Sequence, residues 1–396
     1  MSRRETVVVS AVRTPFGRMG GTLSSIPAVD LGAMAIREVV DRAGLQGRED
    51  EIDYVYMGMV VQAGAGQIPS RQATIKAGLP PEVPSDTLNK VCASSLRAAN
   101  IGDMMIRLGE ADTVIAGGME NMSLGPYFLE RARYGYRLGN GKLVDATVHD
   151  GLWCGIKDVH MGVHGSDVAM ELGVSREQQD QWAYRSQMRV KEAYENGKFA
   201  DELMPVRIPQ RKGNALVFDG DEHPRSDTTP EGLAALRPVF GADGTVTAGN
   251  APGINDGAAA LVLMSRDKAT ELGATPLATI ISHGTASLDA PYLAKVPALA
   301  GKVALEKAGM TVSDLDLIEI NEAFASVAIT SMDMLGADPE IVNVNGGAIA
   351  IGHPIGASGA RILMTLIYEL RRRGGGLGLT TICSGAAQGE ATLVRV

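Results

Sequence analysis

Apolar residues occur along the chain in short continuous runs and in longer runs with helical spacing, and the two kinds alternate. The run 7–9 indicates a buried strand, and apolar residues three and four apart over 96–108 predict a helix. The run 113–116, followed by two glycines, predicts the next strand. Strands that alternate with helices predict an α/β fold whose parallel strands are covered on both faces.

The same succession of patterns occurs twice. In each copy a helical pattern ends at a glycine, a polar stretch follows, and a strand-like run comes next. Farther along, small residues open a long helical run before another strand. The paired segments are 42–55 with 307–318, 96–108 with 360–370, and 113–118 with 379–385. The sequence therefore predicts two duplicated βαβ-type halves.

The middle of the chain differs in amino-acid composition. Residues 120–250 are richer in Met, Gly, Arg, Tyr and charged residues and contain fewer strand-like runs. We therefore predict an N-terminal half over 1–119, an inserted loop domain with some helix over 120–250, and a C-terminal half over 251–396. Trp182 and Tyr184 are expected to form a small local core of the insertion.

Composition and charge limit the partners of the protein. With 45 % hydrophobic and 21 % charged residues, the chain is typical of a folded, soluble protein. A net charge of −9 argues against a nucleic-acid partner, and the basic run 371–373 is interpreted as the last turn of a helix before a glycine stop. No apolar run approaches membrane-spanning length and no signal peptide is evident, so we expect no membrane partner and a cytoplasmic location.

The chain has only three cysteines, at positions 92, 154 and 383, and no CxxC pair. Cys154 is interpreted as buried packing. Cys92 comes directly before small residues that open a helix, where the helix dipole favours a thiolate by roughly 0.3 to 2 kcal/mol. That effect is too small to activate a thiol alone, so a base is needed. His353, flanked by glycines and a proline, is the candidate.

Superposing the two copies brings the candidate groups together. Cys92 in the first copy corresponds to a position close to His353 in the second, and Cys383 lies on the strand that follows. Asn321 comes directly after the apolar run 317–320, at the end of a strand where open α/β folds build their sites. We therefore predict a site of two thiols and an imidazole around a pseudo-twofold axis.

Four motifs carry a resemblance to a known family. Cys92 in Asn-Lys-Val-Cys-Ala-Ser, Asn321 in Asn-Glu-Ala-Phe-Ala, His353 in Gly-His-Pro-Ile-Gly-Ala-Ser-Gly-Ala-Arg, and Cys383 in Cys-Ser-Gly resemble, in this order, the active-site motifs of thiolases. The resemblance covers essentially the whole chain. It implies the thiolase fold, in which the duplicated halves form αβαβα layers.

The resemblance also implies an activity. Thiolases transfer acyl groups through an acetyl-enzyme, condensing two acetyl-CoA molecules to acetoacetyl-CoA and CoA or running the reverse thiolysis. By this resemblance, Cys92 is the nucleophile, His353 activates it, and Cys383 moves protons to and from the second substrate. His353 and a water on Asn321 form one oxyanion hole, and the backbone N–H groups of Cys92 and Gly385 form the other. No metal or cofactor is implied, because CoA thioesters are the substrates.

Substrate contacts follow from the same resemblance. The residues that match the wall of the CoA tunnel are Leu152, His160, Arg225, Ala248, Pro252, Leu293, Ala323 and Phe324. Arg225 is expected near the nucleotide end. The chain departs from the family pattern at Pro252, at 293–294 and at 386–388, which leaves the preferred acyl chain length open. His160 and His164 have the spacing of metal ligands on a helix, but no third convincing ligand accompanies them.

Three alternatives stay open. The chain resembles acetoacetyl-CoA thiolases most, but a 3-ketoacyl-CoA thiolase of longer-chain β-oxidation has the same motifs. A ketoacyl synthase-like enzyme shares the duplicated fold but lacks a second thiol after a strand, and a non-catalytic acyl-CoA carrier would bind without turnover. The resemblance further implies a homotetramer built from dimers, with the aromatic segment 127–145 as a candidate contact arm.

Overall fold

The computed structural model describes residues 4–396. The strands are β1 Thr6–Arg13, β2 Gly17–Arg18, β3 Tyr54–Gly58, β4 Ser85–Leu88, β5 Thr113–Asn121, β6 Tyr127–Phe128, β7 Val144–Asp145, β8 Trp153–Cys154, β9 Val159–His160, β10 Val206–Ile208, β11 Leu216–Phe218, β12 Asn255–Ser265, β13 Ala278–Ser287, β14 Leu317–Ile320, β15 Leu377–Ser384 and β16 Gln388–Arg395. The helices are α1 Ala28–Arg42, α2 Pro69–Lys76, α3 Ser94–Leu108, α4 Met161–Glu171, α5 Arg176–Glu195, α6 Pro230–Ala234, α7 Arg266–Leu272, α8 Val296–Ala308, α9 Ala325–Leu335, α10 Ala348–Ile351 and α11 Ser358–Arg372.

The main sheet contains two copies of one topology. Its order is β14-β15-β16-β13-β1-β12-β5-β3-β4, with β2 paired to β12. Outward from the middle, β1, β12, β5 and β3 mirror β13, β16, β15 and β14. The pairs β3–β5 and β14–β15 are parallel, whereas β12 and β16 run antiparallel to both neighbours. The predicted duplication is therefore confirmed.

The core lies in layers between helices and strands. One apolar cluster joins α1 and α2 to the outer face of the N-terminal strands, and another joins α8 and α9 to the outer face of the C-terminal strands. A third cluster contains the inner faces of both sets of strands together with α3 and α11. Because successive strand residues face opposite sides, each strand contributes to two clusters. The result is the predicted αβαβα arrangement.

The central helices approach each other closely where their first turns meet. A Cβ on Gly118 would lie 1.9 Å from the carbonyl oxygen of Gly356, and one on Gly359 would lie 2.4 Å from the backbone nitrogen of Leu96. Only glycine permits these contacts. The segments that precede α3 and α11, which carry Cys92 and His353, are thereby brought side by side.

Two features differ from the sequence-based division of the chain. The boundary predicted at residue 250 separates β12 from β1 and β5, the strands with which it pairs. Trp182 does not form a separate small core, because it packs in the cluster of α8 and α9 and donates through Nε1 to Glu322, 2.8 Å away. Over residues 4–396, no helix is long and apolar enough to cross a membrane.

Candidate active site

One apolar cavity collects the predicted reactive groups. It has a volume of about 170 Å³ and is lined by Cys92, His353, Cys383 and Gly385 together with mainly apolar residues. Cys92 comes from the N-terminal half, and the other three come from the C-terminal half. The two sulfurs therefore share one space between the halves.

Cys92 lies in a sharp turn just before α3. Val91 has a φ of +44°, which is strained for a β-branched residue. The Ser94 hydroxyl holds the turn, since it accepts from the Lys90 N–H at 2.8 Å and donates to the Val91 carbonyl at 2.6 Å. The turn directs Cys92 into the cavity, where its side chain stays partly exposed. Burial raises the pKa of the Cys92 thiol to about 12, so the helix end does not by itself produce a thiolate.

Lys90 connects this turn to the other half of the molecule. Its Nζ lies 2.5 Å from the carboxylate of the buried Glu390 on β16. The same carboxylate accepts from Asn100 of α3 at 2.7 Å. The Lys90 carbonyl accepts from the hydroxyl of Ser384, the residue after Cys383. The loops that carry the two sulfurs are thus tied to each other.

The hydrogen bonds of His353 fix its tautomer. The Ser358 hydroxyl lies 2.6 Å from Nδ1 of His353, and it donates its only hydrogen to the Pro354 carbonyl at 2.9 Å. With the Ser358 hydrogen on the Pro354 carbonyl, the serine oxygen accepts from Nδ1–H. Nε2 is then left without a proton, and within residues 4–396 no group forms a hydrogen bond with it. Such a nitrogen can accept a proton.

The surroundings of His353 keep it neutral. Burial, and secondly the charge of Arg361, lower the pKa of His353 to about 3.

The backbone of the His353 loop is held by Asn255, which accepts from the His353 N–H at 2.9 Å. Glu120 accepts from the N–H groups of Val60 at 3.0 Å and Gly356 at 2.9 Å, and burial raises its pKa to about 7. Both contacts join the His353 loop to neighbouring segments.

Cys383 lies at the end of β15, opposite the Cys92 turn. It is 1 % exposed, and burial, followed by the proximity of Cys92, raises the pKa of its thiol well above the usual range. A Cβ on Gly385 would lie 3.1 Å from a methyl group of Val91, so the two loops are in contact. Ala386 and Ala387 follow with φ of +57° and +49°.

Asn321 lies behind the cavity rather than on its wall. It is fully buried at the end of β14, and its Oδ1 lies 3.4 Å from a guanidinium nitrogen of Arg361. Its Nδ2 has no hydrogen-bond partner in the described part of the chain. Ala323 and Phe324, which follow two and three residues later, do line the cavity. Asn321 itself does not contribute to the lining of the cavity.

The predicted substrate contacts divide into two groups. The cavity is lined by Leu152, His160, Pro252, Leu293, Ala323 and Phe324. Arg225 and Ala248 instead line a neighbouring pocket of about 260 Å³, together with Thr228 and His223. Ala248 in one pocket and Ala251 in the other are three residues apart, so one segment contributes to both pockets.

Several site residues were not anticipated. Ser358, Asn255 and Glu120 position His353 or its loop, although only Ser358 belongs to the same sequence motif. The unpredicted wall residues are Val91, Met122, Gly151, Met161, Phe240, Ala251, Gly253, Ile254, Ile355 and Ser384. A buried carboxylate such as Glu120 has no sequence signal of its own, because its partners are backbone N–H groups distant along the chain.

The two histidines with helical spacing have different surroundings. Nδ1 of His160 accepts from the Gly162 N–H at 3.0 Å, and its ring stacks on Phe240 with centroids 4.3 Å apart. His164 is buried within α4. In residues 4–396, no group of three or more His, Cys, Asp or Glu side chains is arranged to hold a metal ion.

Comparison with known proteins agrees with this geometry. The family model described as the thiolase N-terminal domain matches residues 6–267, and that of the thiolase C-terminal domain matches 274–396. An acetyl-CoA acetyltransferase of Pseudomonas aeruginosa is 50 % identical over 99 % of this chain and 100 % of that protein. One of Escherichia coli is 48 % identical over 99 % of both chains. The crystal structure of the Bacillus anthracis acetyl-CoA acetyltransferase superposes with a TM-score of 0.96 at 40 % identity, over 99 % of both chains. The chain therefore belongs to the thiolase family.

Proposed function

We propose that the protein condenses two acetyl-CoA molecules to acetoacetyl-CoA and CoA and catalyses the reverse thiolysis. The observation that carries the proposal is a single cavity containing Cys92, Cys383 and a neutral His353 with a free Nε2. The names of the similar proteins support acetyl-CoA as the substrate.

In the first half-reaction, Nε2 of His353 takes the proton from the Cys92 thiol. The thiolate attacks the carbonyl carbon of acetyl-CoA, and the developing oxyanion is held by the N–H groups of Cys92 and Gly385. The bond from carbon to the CoA sulfur then breaks, and the CoA thiolate recovers the proton from His353. A thiol nucleophile suits this exchange, because one thioester replaces another of similar energy.

In the second half-reaction, Cys383 acts as the base. Its thiol first passes a proton to Nε2 of His353, and the thiolate then removes a proton from the methyl group of a second acetyl-CoA. The enolate oxygen is stabilised by the N–H now on Nε2 of His353 and by a water on Asn321. The enolate carbon attacks the acetyl carbon on Cys92, a carbon–carbon bond forms, and the bond from that carbon to the Cys92 sulfur breaks. The Cys92 thiolate then takes the proton from Nε2 of His353. Each oxyanion donor is typically worth about 2.7 to 4 kcal/mol in such transition states.

The two pockets offer a path for CoA. The acyl and pantetheine portion would occupy the apolar cavity, with the nucleotide portion near Arg225 and Ala248. The cavity has a volume of only about 170 Å³, and its wall includes the bulky apolar residues Leu293 and Ile355, which favours a short acyl group. Thiolysis rates measured over a ladder of 3-ketoacyl-CoA lengths are expected to be highest at four carbons; a maximum at eight or more would favour a long-chain enzyme.

Formation of the acetyl-enzyme is the direct test. Incubation with acetyl-CoA is expected to add one acetyl mass to the peptide containing Cys92, as measured by mass spectrometry after rapid quenching. The Cys92→Ala variant should remain unmodified, and Cys154→Ala should be modified like the wild type. No adduct on Cys92 in the wild-type protein would refute the proposal.

The separate role of Cys383 can be tested in the same assay. Cys383→Ala is expected to retain acetylation of Cys92 while losing condensation, because only the second half-reaction needs the second thiol. An equal loss of both steps would contradict the assigned roles.

The assembly and location belong to the same proposal. We expect a homotetramer, supported by exposed apolar residues on the arm 127–145, where Tyr134 is 89 % and Leu138 is 100 % exposed. A mass near four times 41.6 kDa in light scattering would agree with this, and a monomer would not. A cytosolic location would keep the Cys92 and Cys383 thiols reduced.

A further inference from the structure

A buried arginine lies behind the cavity and is not used in the mechanism above. Arg361, in the first turn of α11, is fully buried. Its Nη2 lies 3.4 Å from Oδ1 of Asn321, and its Nη1 lies 3.7 Å from a carboxylate oxygen of Glu319. Both partners belong to β14 or directly follow it.

The strand presents polar side chains to this arginine. Leu317 packs in the core cluster that contains α11, and since alternate strand residues share a face, Glu319 and Asn321 point the same way. Thr380, which is paired with Glu319 on β15, faces the same space. This part of the central layer is therefore polar although it lies inside the core.

Arg361 makes few hydrogen bonds for a buried charged group. In the described part of the chain, its Nε and Nη1 make no hydrogen bond, and neither do one oxygen of Glu319 and the hydroxyl of Thr380. Burial raises the pKa of Glu319 well above its usual range, so that carboxyl neutralises the guanidinium incompletely. A buried, incompletely paired charge destabilises a fold by several kcal/mol. Packing alone does not account for an arginine here.

The charge has one clear geometric effect, which falls on the amide of Asn321. A guanidinium carries only donors, so the amide oxygen is stable beside it and the amide NH₂ is not. Rotating the Asn321 amide by 180° would place its NH₂ donors against the N–H donors of the guanidinium. Nδ2, which has no partner within residues 4–396, is thus held on the side away from Arg361.

We propose that Arg361 is a positioning residue that fixes the amide orientation of Asn321, so that Nδ2 donates to the water stabilising the enolate. This inference rests on the proposed function, in which that water acts only in the second half-reaction. Arg361 touches no substrate atom. Its loss should therefore affect condensation far more than acetylation of Cys92.

The test separates the two half-reactions. The double variant Arg361→Met/Glu319→Gln removes the buried cation together with the carboxylate nearest to it, so it is expected to fold. Its rate of Cys92 acetylation should stay within about threefold of wild type, because burial remains the larger cause of the low pKa of His353. The kcat of condensation should fall about 100-fold, the lower end of the loss on removing an oxyanion donor, with little change in the KM for acetyl-CoA.

Two further variants serve as rescue and control. Arg361→Lys keeps a cation beside Oδ1 of Asn321 and is expected to condense at least tenfold faster than the double variant. Arg107→Met removes a partly buried cation from α3, the counterpart of α11, where it contacts Asp103 and not the site. Arg107→Met should not change the rate of condensation relative to the rate of Cys92 acetylation.

The outcomes are distinct. Unchanged condensation in the double variant, a parallel fall of both half-reactions, or Arg361→Lys no faster than the double variant would overturn the role of Arg361. Absence of acetyl-Cys92 in the wild-type protein would instead refute the proposed function itself.

Discussion

The reactivity of the cavity depends on which nitrogen of His353 carries the proton. When the Ser358 hydroxyl donates to the backbone carbonyl of Pro354, the serine oxygen accepts from Nδ1. This short chain of hydrogen bonds leaves Nε2 free, and burial keeps the ring neutral. A thiol with a raised pKa needs a proton acceptor beside it, and Nε2 is the acceptor that this cavity offers.

Loss of the Ser358 hydroxyl should therefore impair the base. In Ser358→Ala, Nδ1–H loses its acceptor, and the tautomer with the proton on Nε2 becomes populated. We expect kcat/KM for thiolysis to fall about 10- to 100-fold, part of the typical contribution of general base catalysis. Steady-state kinetics with acetoacetyl-CoA would measure this.

Ser95→Ala is the matched control. The Ser95 hydroxyl accepts from the Ala360 N–H at 2.9 Å and does not contact His353. A similar loss of activity in both variants would show that Ser358 acts only through packing of the central helices.

Burial of His353 also predicts how stability depends on pH. The folded state keeps this ring neutral down to about pH 3, whereas the unfolded chain binds the proton below about pH 6.5. The free energy of unfolding should therefore fall as the pH drops below 6.5. Down to pH 5 this group contributes about 2 kcal/mol of that loss, at 1.36 kcal/mol per pH unit.

His353→Gln removes this contribution. Urea denaturation at pH 7 and pH 5 should show a loss on acidification smaller by about 2 kcal/mol in the variant. Glu120 has the opposite effect, because its raised pKa of about 7 lets the folded state hold a proton that the unfolded chain releases. Both proteins contain Glu120, so the difference reports His353. Equal losses would mean that His353 is not buried neutral.

Among the elements, the turn between β15 and β16 is under strain. It carries Cys383 and Gly385 into the cavity, and the next two residues, Ala386 and Ala387, both have a left-handed backbone. An alanine in this conformation costs roughly 1 to 2 kcal/mol. The turn is therefore stable only because its neighbours are well packed.

Ala386→Gly should stabilise the protein. Glycine removes the steric penalty of about 1 to 2 kcal/mol, and its greater entropy in the unfolded chain offsets about 0.5 to 1 kcal/mol of that gain. We expect a net increase of about 0.5 kcal/mol in the free energy of unfolding, measured by urea denaturation.

Ala391→Gly provides the comparison. Ala391 is buried in the regular part of β16, where glycine loses a packed methyl group and gains nothing. It should destabilise the protein by about 1 kcal/mol. Destabilisation by Ala386→Gly as well would show that the turn is not strained.

At the scale of the molecule, the two halves share one central core. The cluster around α3 and α11 contains strands from both halves, and the site forms where the first turns of these helices meet. Catalytic geometry and joint folding therefore depend on the same contacts, so the halves are expected to unfold together.

Gly118→Ala should disturb this junction. The new methyl group would overlap the carbonyl of Gly356, which can move only with the His353 loop. We expect a loss of about 3 kcal/mol or more in a single unfolding transition, at the upper end of overpacking effects, with reduced activity.

Gly155→Ala is the matched control, because nothing lies within 4 Å of a Cβ at that position. It is expected to be nearly neutral. Two separate transitions in Gly118→Ala, with only one shifted, would contradict a shared core.

The sequence by itself determined the alternation of strands and helices, their duplication and the set of thiol and imidazole groups proposed to react. These depend on local signals: apolar periodicity, helix-ending glycines, and thiol and imidazole groups in short motifs. The helix predicted over 96–108 runs from 94 to 108, and the strand predicted over 379–383 runs from 377 to 384.

Only the tertiary structure decided how these groups are arranged. It pairs β12 with the N-terminal strands, places Asn321 beside Arg361, and assigns Arg225 and Ala248 to a second pocket. It also supplies the partners of His353, Lys90 and Arg361. These contacts join residues that are far apart in the chain. Their energy depends on burial and hydrogen-bond geometry, so no local sequence pattern predicts them.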